Sequence, residues 1–319
     1  ETSGIYTGKG PHEVVVCMAS PILADADVVL EISTDFGEPV SASRNAVKFH
    51  QGGAEVKFDI DLAPGFYKAV FSLVGKDGEK AELCRTHLGF NPEDIISEQD
   101  KQPDFDQFWA QTLAELAEVD PEYELTLIED RSNDIRKSYR VDMKSFSGES
   151  VSGLLVVPAK EGKYPAMISY MGYGSNVWYP NPSDNPNLIE FQLCIRNQAL
   201  NRKPGEKDDW CTRGLESKET YYYRGAFADA VRAIDLVCSL PQTDTERIVA
   251  NGESQGGALT LVAASLDHRL KAIAPSAPFL NDYRDYFALV DWPGNWILQA
   301  AQEQNIPVEE LYVTLSYFD

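Results

Sequence analysis

The chain has 319 residues with 43% apolar content, a net charge of −22 and a mean hydropathy of −0.30, values typical of a folded chain of two domains. Such acidity argues against nucleic acid or anionic membrane surfaces as partners, and no run of 18 apolar residues is present to span a membrane. The cysteines and histidines form no Cys-x-x-C motif or cluster, so we expect no structural metal and no cofactor.

The start of the chain and its cysteines bear on the compartment. The chain begins at Glu1 without a methionine, as removal of a signal peptide or an expression leader would leave it, so we expect a periplasmic or secreted protein.

The five cysteines cannot all pair internally. Cys17 and Cys84 lie in strand-like runs, where they form either a disulfide across a sandwich or, the favoured interpretation, two buried free thiols.

Residues 1–92 are predicted to form an all-β, immunoglobulin-like sandwich. Short β-branched runs alternate with Gly- and Pro-containing turns at regular spacing, which is typical of sandwiches. No catalytic constellation occurs here, so we expect a packing or spacer domain, with carbohydrate binding as the alternative. The predicted strands cover residues 13–18, 27–32, 54–60 and 67–74.

Residues 93–319 are predicted to form an α/β domain. Asp104 is expected to cap a first helix, and the turn at 147–149 to join two strands as a hairpin. From residue 165 strands alternate with helices, which indicates a right-handed, mostly parallel sheet. The predicted strands are 125–128, 138–143, 151–158, 166–170, 189–195, 247–250 and 270–275, and the later helices are 221–240 and 282–304.

A candidate nucleophile lies between the strand at 247–250 and the apolar helix that follows. The motif there is Gly252-Glu253-Ser254-Gln255-Gly256-Gly257. A serine on a sharp strand-to-helix turn needs neighbours almost without side chains, which Gly252 and Gly256 supply, while Gly257 lets the helix approach the sheet. The Gln255 N–H then points at a developing oxyanion. The alternative is an ordinary glycine-rich turn with an idle serine.

A second oxyanion donor is expected in Met171-Gly172-Tyr173-Gly174-Ser175, the loop after the strand at 166–170. In this architecture that loop supplies a backbone N–H, here that of Tyr173, and the flanking glycines permit the turn. A plain strand-end turn is the alternative. The long polar loop 196–219 is also a functional candidate because of its length. Together with the serine turn, these features indicate the α/β-hydrolase arrangement.

Several segments together resemble carbohydrate esterase family seven, the acetyl xylan esterases and cephalosporin-C deacetylases. The resemblance runs from about Pro103 to the C-terminus and leaves the first 90 or so residues outside. Its segments are 103–109, 171–174, 220–224, 227–233, 246–249, the serine turn, 278–280 and 314–319.

The resemblance implies removal of small acyl groups, mainly acetyl, from sugar hydroxyls, with an acetylated carbohydrate as partner. By position, Ser254 would be the nucleophile, and the N–H groups of Tyr173 and Gln255 would hold the oxyanion. One departure concerns the loop after the strand at 189–195. The family usually has Arg-Gly-Gln-Gly there, whereas this chain has Arg196-Asn197-Gln198-Ala199. We expect the loss of both glycines to change that loop and the substrate preference.

A second departure concerns the catalytic acid and base. In this fold the triad runs in the order Ser, Asp, His, with the last two on loops after the final strands. His268 follows the serine helix and is far from the expected site, so we assign neither an Asp nor a His of the triad in this chain. We therefore expect a C-terminally truncated, inactive domain. The strand at 270–275 would then be an edge that favours a homo-oligomer.

Two other functions stay open at this level. A serine peptidase of the prolyl-oligopeptidase type shares the serine turn but usually carries a much larger propeller domain. A non-catalytic carbohydrate-binding scaffold would keep the fold without the chemistry. Activity on p-nitrophenyl acetate against a prolyl peptide separates the two enzymes, and fluorophosphonate labelling of Ser254 separates both from the scaffold.

Overall fold

The apolar runs of the first ninety residues form strands in the computed structural model, which describes residues 4–19, 26–50, 52–96 and 101–319. The chain divides into two units, Glu1–Gln99 and Asp100–Asp319. The strands of the first unit are β1 (Ile5–Tyr6), β2 (His12–Ala19), β3 (Ala26–Thr34), β4 (Pro39–Ala46), β5 (Gly53–Ile60), β6 (Gly65–Gly75) and β7 (Lys80–Phe90).

Two sheets share the core of the first unit. One has the order β1-β7-β6-β3-β4, and the other pairs β2 with β5; all pairings are antiparallel except β1 with β7. Alternate residues of β3, β5 and β6 meet in one cluster, where the rings of Phe58 and Phe71 lie edge to face at 6.0 Å. The four predicted strands form β2, β3, β5 and β6. The prediction missed β4 because all its side chains are exposed and four of the eight are polar.

Cys17 and Cys84 are free thiols, and both are exposed. The expectation of buried thiols was therefore wrong. Cys17 lies at an outward-facing position of β2, where side chains alternate between the core and solvent, and Cys84 lies in the part of β7 whose side chains are all exposed.

The second unit alternates strands and helices, as predicted. Its strands are β8 (Glu124–Leu127), β9 (Arg136–Lys144), β10 (Ser150–Pro158), β11 (Tyr164–Tyr170), β12 (Ile189–Cys194), β13 (Thr243–Glu253) and β14 (Ala272–Ser276). Its helices are α1 (Phe105–Ala117), α2 (Tyr222–Ser239), α3 (Gln255–Leu266), α4 (Tyr283–Leu289), α5 (Gly294–Glu303) and α6 (Val308–Leu315).

One seven-stranded sheet organises this unit, in the order β14-β13-β11-β12-β10-β9-β8. Four neighbouring strands, β11, β12, β13 and β14, are parallel to one another. β10, β9 and β8 extend the sheet beyond β12 by antiparallel pairing. β9 and β10 form the predicted hairpin. Because Tyr170 of β11 pairs with Gly252 of β13 and Gly252 with Pro275 of β14, three strands end at one edge of the sheet. The loops that follow them meet there.

Two expectations for this unit need correction. Asp104 precedes α1 but makes no capping hydrogen bond, because its carboxylate instead accepts hydrogen bonds from the Lys218 ammonium and the Tyr317 hydroxyl. The loop 196–219, which the sequence predicted to be polar, also contributes apolar side chains to the core, because Trp210, Cys211 and Leu215 are fully buried. No helix of the described ranges is long and apolar enough to cross a membrane.

Candidate active site

Ser254 sits on a strained backbone between β13 and α3. Its φ of 57° and ψ of −120° are unusual for a residue with a side chain, and such conformations cost about 1–3 kcal/mol unless the surroundings enforce them. Here the Ser254 N–H donates to the carbonyl of Ser276 at 3.0 Å, and the Ser254 carbonyl accepts from Ala258 at 3.1 Å. The half-buried serine is thus held at the strand ends by backbone hydrogen bonds on both sides.

The glycines around Ser254 are required by close backbone contacts. A Cβ on Gly252 would lie 2.3 Å from the carbonyl oxygen of Gly256, and one on Gly256 would lie 2.2 Å from that of Tyr170. A Cβ on Gly257 would lie 2.6 Å from the Ser276 carbonyl oxygen, so this glycine sets how closely α3 approaches β14. Any larger residue at these positions would push the serine turn away from the sheet.

Two backbone N–H groups near this turn are free to bind an anion. In the described part of the chain, neither the Tyr173 N–H nor the Gln255 N–H donates to a protein acceptor. Gln255 is the first residue of α3, where the helix dipole favours negative charge. Tyr173 lies just beyond β11, the strand that neighbours β13. Both sequence-predicted donors therefore follow adjacent strands at the same edge of the sheet.

A buried amide network joins the two loops. Gln198 accepts a hydrogen bond from the Gly174 N–H at 3.0 Å and donates to the Gln255 side-chain oxygen at 3.1 Å. The Gln255 amide in turn lies 3.3 Å from the Met171 carbonyl, and the Tyr223 hydroxyl donates to Gln255 at 2.9 Å. Both glutamine side chains are fully buried. The network therefore fixes the Tyr173 loop relative to the serine turn.

The loop that carries Gln198 keeps left-handed backbone conformations without glycine. Asn197 has a φ of 64° and Ala199 a φ of 49°, in the region that glycine adopts most readily. Arg196 anchors the loop through two hydrogen bonds to the buried carboxylate of Asp229, at 2.9 and 2.7 Å. Positions 197 and 199 therefore adopt left-handed conformations although neither residue is glycine, which adds strain at Ala199.

The side chain of Tyr173 is held in an aromatic cluster. Its hydroxyl donates to the Asp208 carbonyl at 2.7 Å, and its ring packs edge to face on Trp210 and Trp292 at 5.1 and 5.5 Å. Burial raises the pKa of Tyr173 far above its ordinary value, so the phenol is a neutral hydrogen-bond donor across the physiological range. Sequence reasoning used only the backbone of Tyr173 and missed this cluster.

The Ser254 hydroxyl makes no hydrogen bond to any residue that the structure describes. The second unit has one histidine, His268, which follows α3 at the end opposite Ser254. A helix of 12 residues spans about 18 Å, so His268 is out of reach of Ser254, as expected from the sequence. The described ranges also contain no group of three or more His, Cys, Asp or Glu side chains placed to bind a metal ion.

Comparison with known proteins connects this geometry to one family. Residues 93–319 match the family model described as acetyl xylan esterase (AXE1). The chain is 27% identical over 314 residues to acetyl esterase Axe7A of Xylanibacter ruminicola, covering 92% of this chain and 68% of that protein.

Solved structures show the same relationship. Acetyl xylan esterase 1 from Thermoanaerobacterium sp. JW/SL YS485 superposes with a TM-score of 0.62 at 26% identity, over 70% of this chain and 74% of the other. The acetyl xylan esterase from Paenibacillus sp. R4 gives 0.61 at 30% identity, over 71% and 77%. The mixed α/β fold is therefore similar to that of acetyl xylan esterases, and the resemblance seen in the sequence is confirmed. The chain belongs to the acetyl xylan esterase family, a family of carboxylic ester hydrolases.

Proposed function

We propose that this protein removes acetyl groups from acetylated xylan or related sugar esters through an acyl-enzyme on Ser254. The observation that carries the proposal is the backbone of Ser254, which is strained and enclosed by glycines whose replacement would clash with neighbouring carbonyls. Structural strain of this kind is retained where function needs it. The family membership supports acetyl esters as the substrate class.

The proposed reaction has two steps. The Ser254 oxygen attacks the acetyl carbonyl carbon, a base takes the serine proton, and the sugar oxygen leaves with a proton. The N–H groups of Tyr173 and Gln255 hold the tetrahedral oxyanion of each step. Water then hydrolyses the acetyl ester on Ser254, which releases acetate and restores the hydroxyl. We do not assign the base to His268, because it lies at the far end of α3.

Acetate release from acetylated xylan tests this proposal directly, with the protein expressed from its complete reading frame. We expect Ser254→Ala to lose turnover while its far-ultraviolet circular dichroism stays unchanged. Ser265→Ala is the matched control, because Ser265 is an exposed serine of α3, the helix that follows Ser254, and its hydroxyl donates only to the Leu261 carbonyl. Near wild-type turnover by Ser254→Ala would exclude Ser254 as the nucleophile.

A non-catalytic carbohydrate-binding scaffold is the second candidate. One observation favours it: the Ser254 hydroxyl makes no hydrogen bond to any described residue, and a serine that no base activates is a weak nucleophile. Calorimetry with xylohexaose separates the two functions. A scaffold binds the sugar and releases no acetate from acetylated xylan, whereas the esterase releases acetate in a Ser254-dependent way.

Three further features belong to the proposal. We propose that the first unit is an accessory immunoglobulin-like sandwich and that the protein acts in the periplasm or outside the cell. We also propose a homo-oligomer that pairs through β14. This strand is at the edge of the described sheet, and its apolar side chain Ile273 is 36% exposed. Sedimentation at several protein concentrations tests the assembly.

A further inference from the structure

The aromatic cluster beside the candidate active site has one strongly exposed ring. Trp210 and Phe279 are 1% and 4% exposed, Tyr173 is half-buried, and Trp292 is 50% exposed. The Trp292 ring packs against Tyr173 at 5.5 Å and against Phe279 at 6.3 Å. Two neighbouring rings therefore support Trp292, and part of its surface faces solvent.

The cluster is connected to the reacting serine on two sides. The Phe279 N–H donates to the Ser254 carbonyl at 3.5 Å, and Tyr173 carries one of the candidate oxyanion donors. The Trp292 ring thus contacts both Tyr173, which carries a candidate oxyanion donor, and Phe279, which is hydrogen-bonded to the backbone of Ser254. A group that rests on Trp292 would be adjacent to an acetyl group at Ser254.

The position of Trp292 is set by packing. Gly294, two residues further on, begins α5 and approaches the Phe287 ring so closely that a Cβ there would lie 2.9 Å from it. Tyr173 is held in turn by its hydroxyl bond to the Asp208 carbonyl. A rigid aromatic surface contributes contact area at a low cost in conformational entropy.

Polar side chains lie next to this ring along the chain. Asp291 precedes Trp292, and its carboxylate accepts a hydrogen bond from the Asn295 amide at 3.1 Å; both side chains are exposed. An apolar face flanked by carboxylate and amide groups matches a pyranose ring, which has apolar C–H faces and a rim of hydroxyl groups. A flat ester without a ring would gain nothing from this surface.

We propose that Trp292 is a stacking platform for the pyranose ring that carries the acetyl group, and so determines specificity for sugar esters. The inference rests on the proposed esterase function and deepens it, because it names the leaving-group side of the site. Trp292 is assigned no part in the chemistry of the acetyl group itself.

The test compares two substrates with the protein from its complete reading frame. For acetylated xylo-oligosaccharide, we expect Trp292→Ala to raise KM about tenfold and to leave kcat within about twofold. A tenfold change in KM corresponds to the loss of roughly one aromatic contact. For ethyl acetate, which has no ring, kcat/KM should stay unchanged. Trp292→Phe, which keeps an aromatic face, should recover most of the affinity for the sugar ester.

Trp178→Ala is the matched control, because Trp178 is also 50% exposed and its ring contacts no other ring among the described residues. It should leave both substrates unaffected. Equal losses by Trp292→Ala on both esters would show a structural role and overturn the proposal, as would an unchanged KM for the sugar ester.

Binding without turnover separates this proposal from the proposed function. In a Ser254→Ala background, we expect calorimetry to show xylohexaose binding that Trp292→Ala weakens about tenfold. If the wild-type protein released no acetate but this difference held, the esterase function would fail and the platform would stand. If acetate release held and xylohexaose bound equally to both variants, the platform would fail and the esterase would stand.

Discussion

The side-chain amide of Gln198 lies 3.1 Å from the side-chain oxygen of Gln255, and both residues are fully buried. Gln198 also accepts the N–H of Gly174, the residue after Tyr173, so one side chain reaches both loops of the candidate oxyanion site. Buried amides that lose a partner are costly, so this contact keeps the two loops in one relative position.

We expect Gln198→Leu to lower kcat for acetylated xylan about 10- to 100-fold with little change in KM. Displaced N–H donors stabilise the oxyanion of the transition state less well but affect substrate binding little. Steady-state kinetics measures both constants. Gln192→Leu is the control, since Gln192 is also buried and bonds the Trp178 N–H instead. Equal kcat losses in the two variants would show that any buried glutamine has this effect and would contradict the positioning role.

The backbone of Ala199 leads to a stability prediction. Left-handed conformations cost residues with a Cβ about 1–2 kcal/mol, so glycine at the φ of 49° relieves strain although it adds freedom to the unfolded chain. We expect Ala199→Gly to raise the free energy of unfolding by up to about 1 kcal/mol in urea titrations.

Ala114→Gly provides the control for this substitution. Ala114 is exposed in the interior of α1, where glycine costs about 1 kcal/mol relative to alanine. The two identical substitutions should therefore change stability in opposite directions. Destabilisation of similar size by both would mean that Ala199 is unstrained.

Much of this fold follows from local pattern. β-branched runs between turns predicted four strands of the first unit, and the Gly-x-Ser-x-Gly spacing predicted the turn at Ser254. β4 stayed hidden because none of its side chains is buried, so it carries no apolar alternation. The role of Gln198 could not be read from the chain because its partners, Gly174 and Gln255, are 24 and 57 residues away in sequence.

The buried ion pair of Arg196 and Asp229 should be essential for stability. Two side-chain hydrogen bonds and one from the Arg196 N–H converge on the Asp229 carboxylate, which is inaccessible to solvent. Asp229→Asn leaves the arginine charge buried without its counterion, so we expect a loss of about 3 kcal/mol in the free energy of unfolding.

Asp244→Asn is the matched change for this pair. Asp244 pairs with Arg247, whose side chain is 57% exposed, and surface pairs contribute below about 1 kcal/mol. Urea unfolding of both variants makes the comparison. If both variants lost a similar, small amount of unfolding free energy, the buried ion pair would contribute no more to stability than the exposed one, which would contradict this prediction.

The contact of Asp104 with Lys218 and Tyr317 predicts a dependence on pH. Mainly the hydrogen bond from Lys218, with that from Tyr317, lowers the pKa of Asp104 below its ordinary value of 3.8. A carboxyl group with a lowered pKa stabilises the fold above its unfolded pKa, and this contribution is lost as pH falls through the folded pKa.

We therefore expect the wild-type protein to exceed Asp104→Asn in stability between about pH 5 and pH 7 by a constant amount. The difference should shrink below about pH 4, as Asp104 takes up a proton. Urea midpoints at a series of pH values provide the measurement. A difference that stays constant down to the lowest pH at which both proteins fold would contradict the assignment.

The central claim is that Ser254 is the nucleophile, and covalent labelling tests it most directly. The protein from its complete reading frame is treated with a fluorophosphonate, digested and mapped by mass spectrometry. We predict one modified peptide, with the label on Ser254, and no label on the Ser254→Ala variant. A label on another serine, or an unlabelled Ser254 in a protein that still releases acetate, would contradict the account.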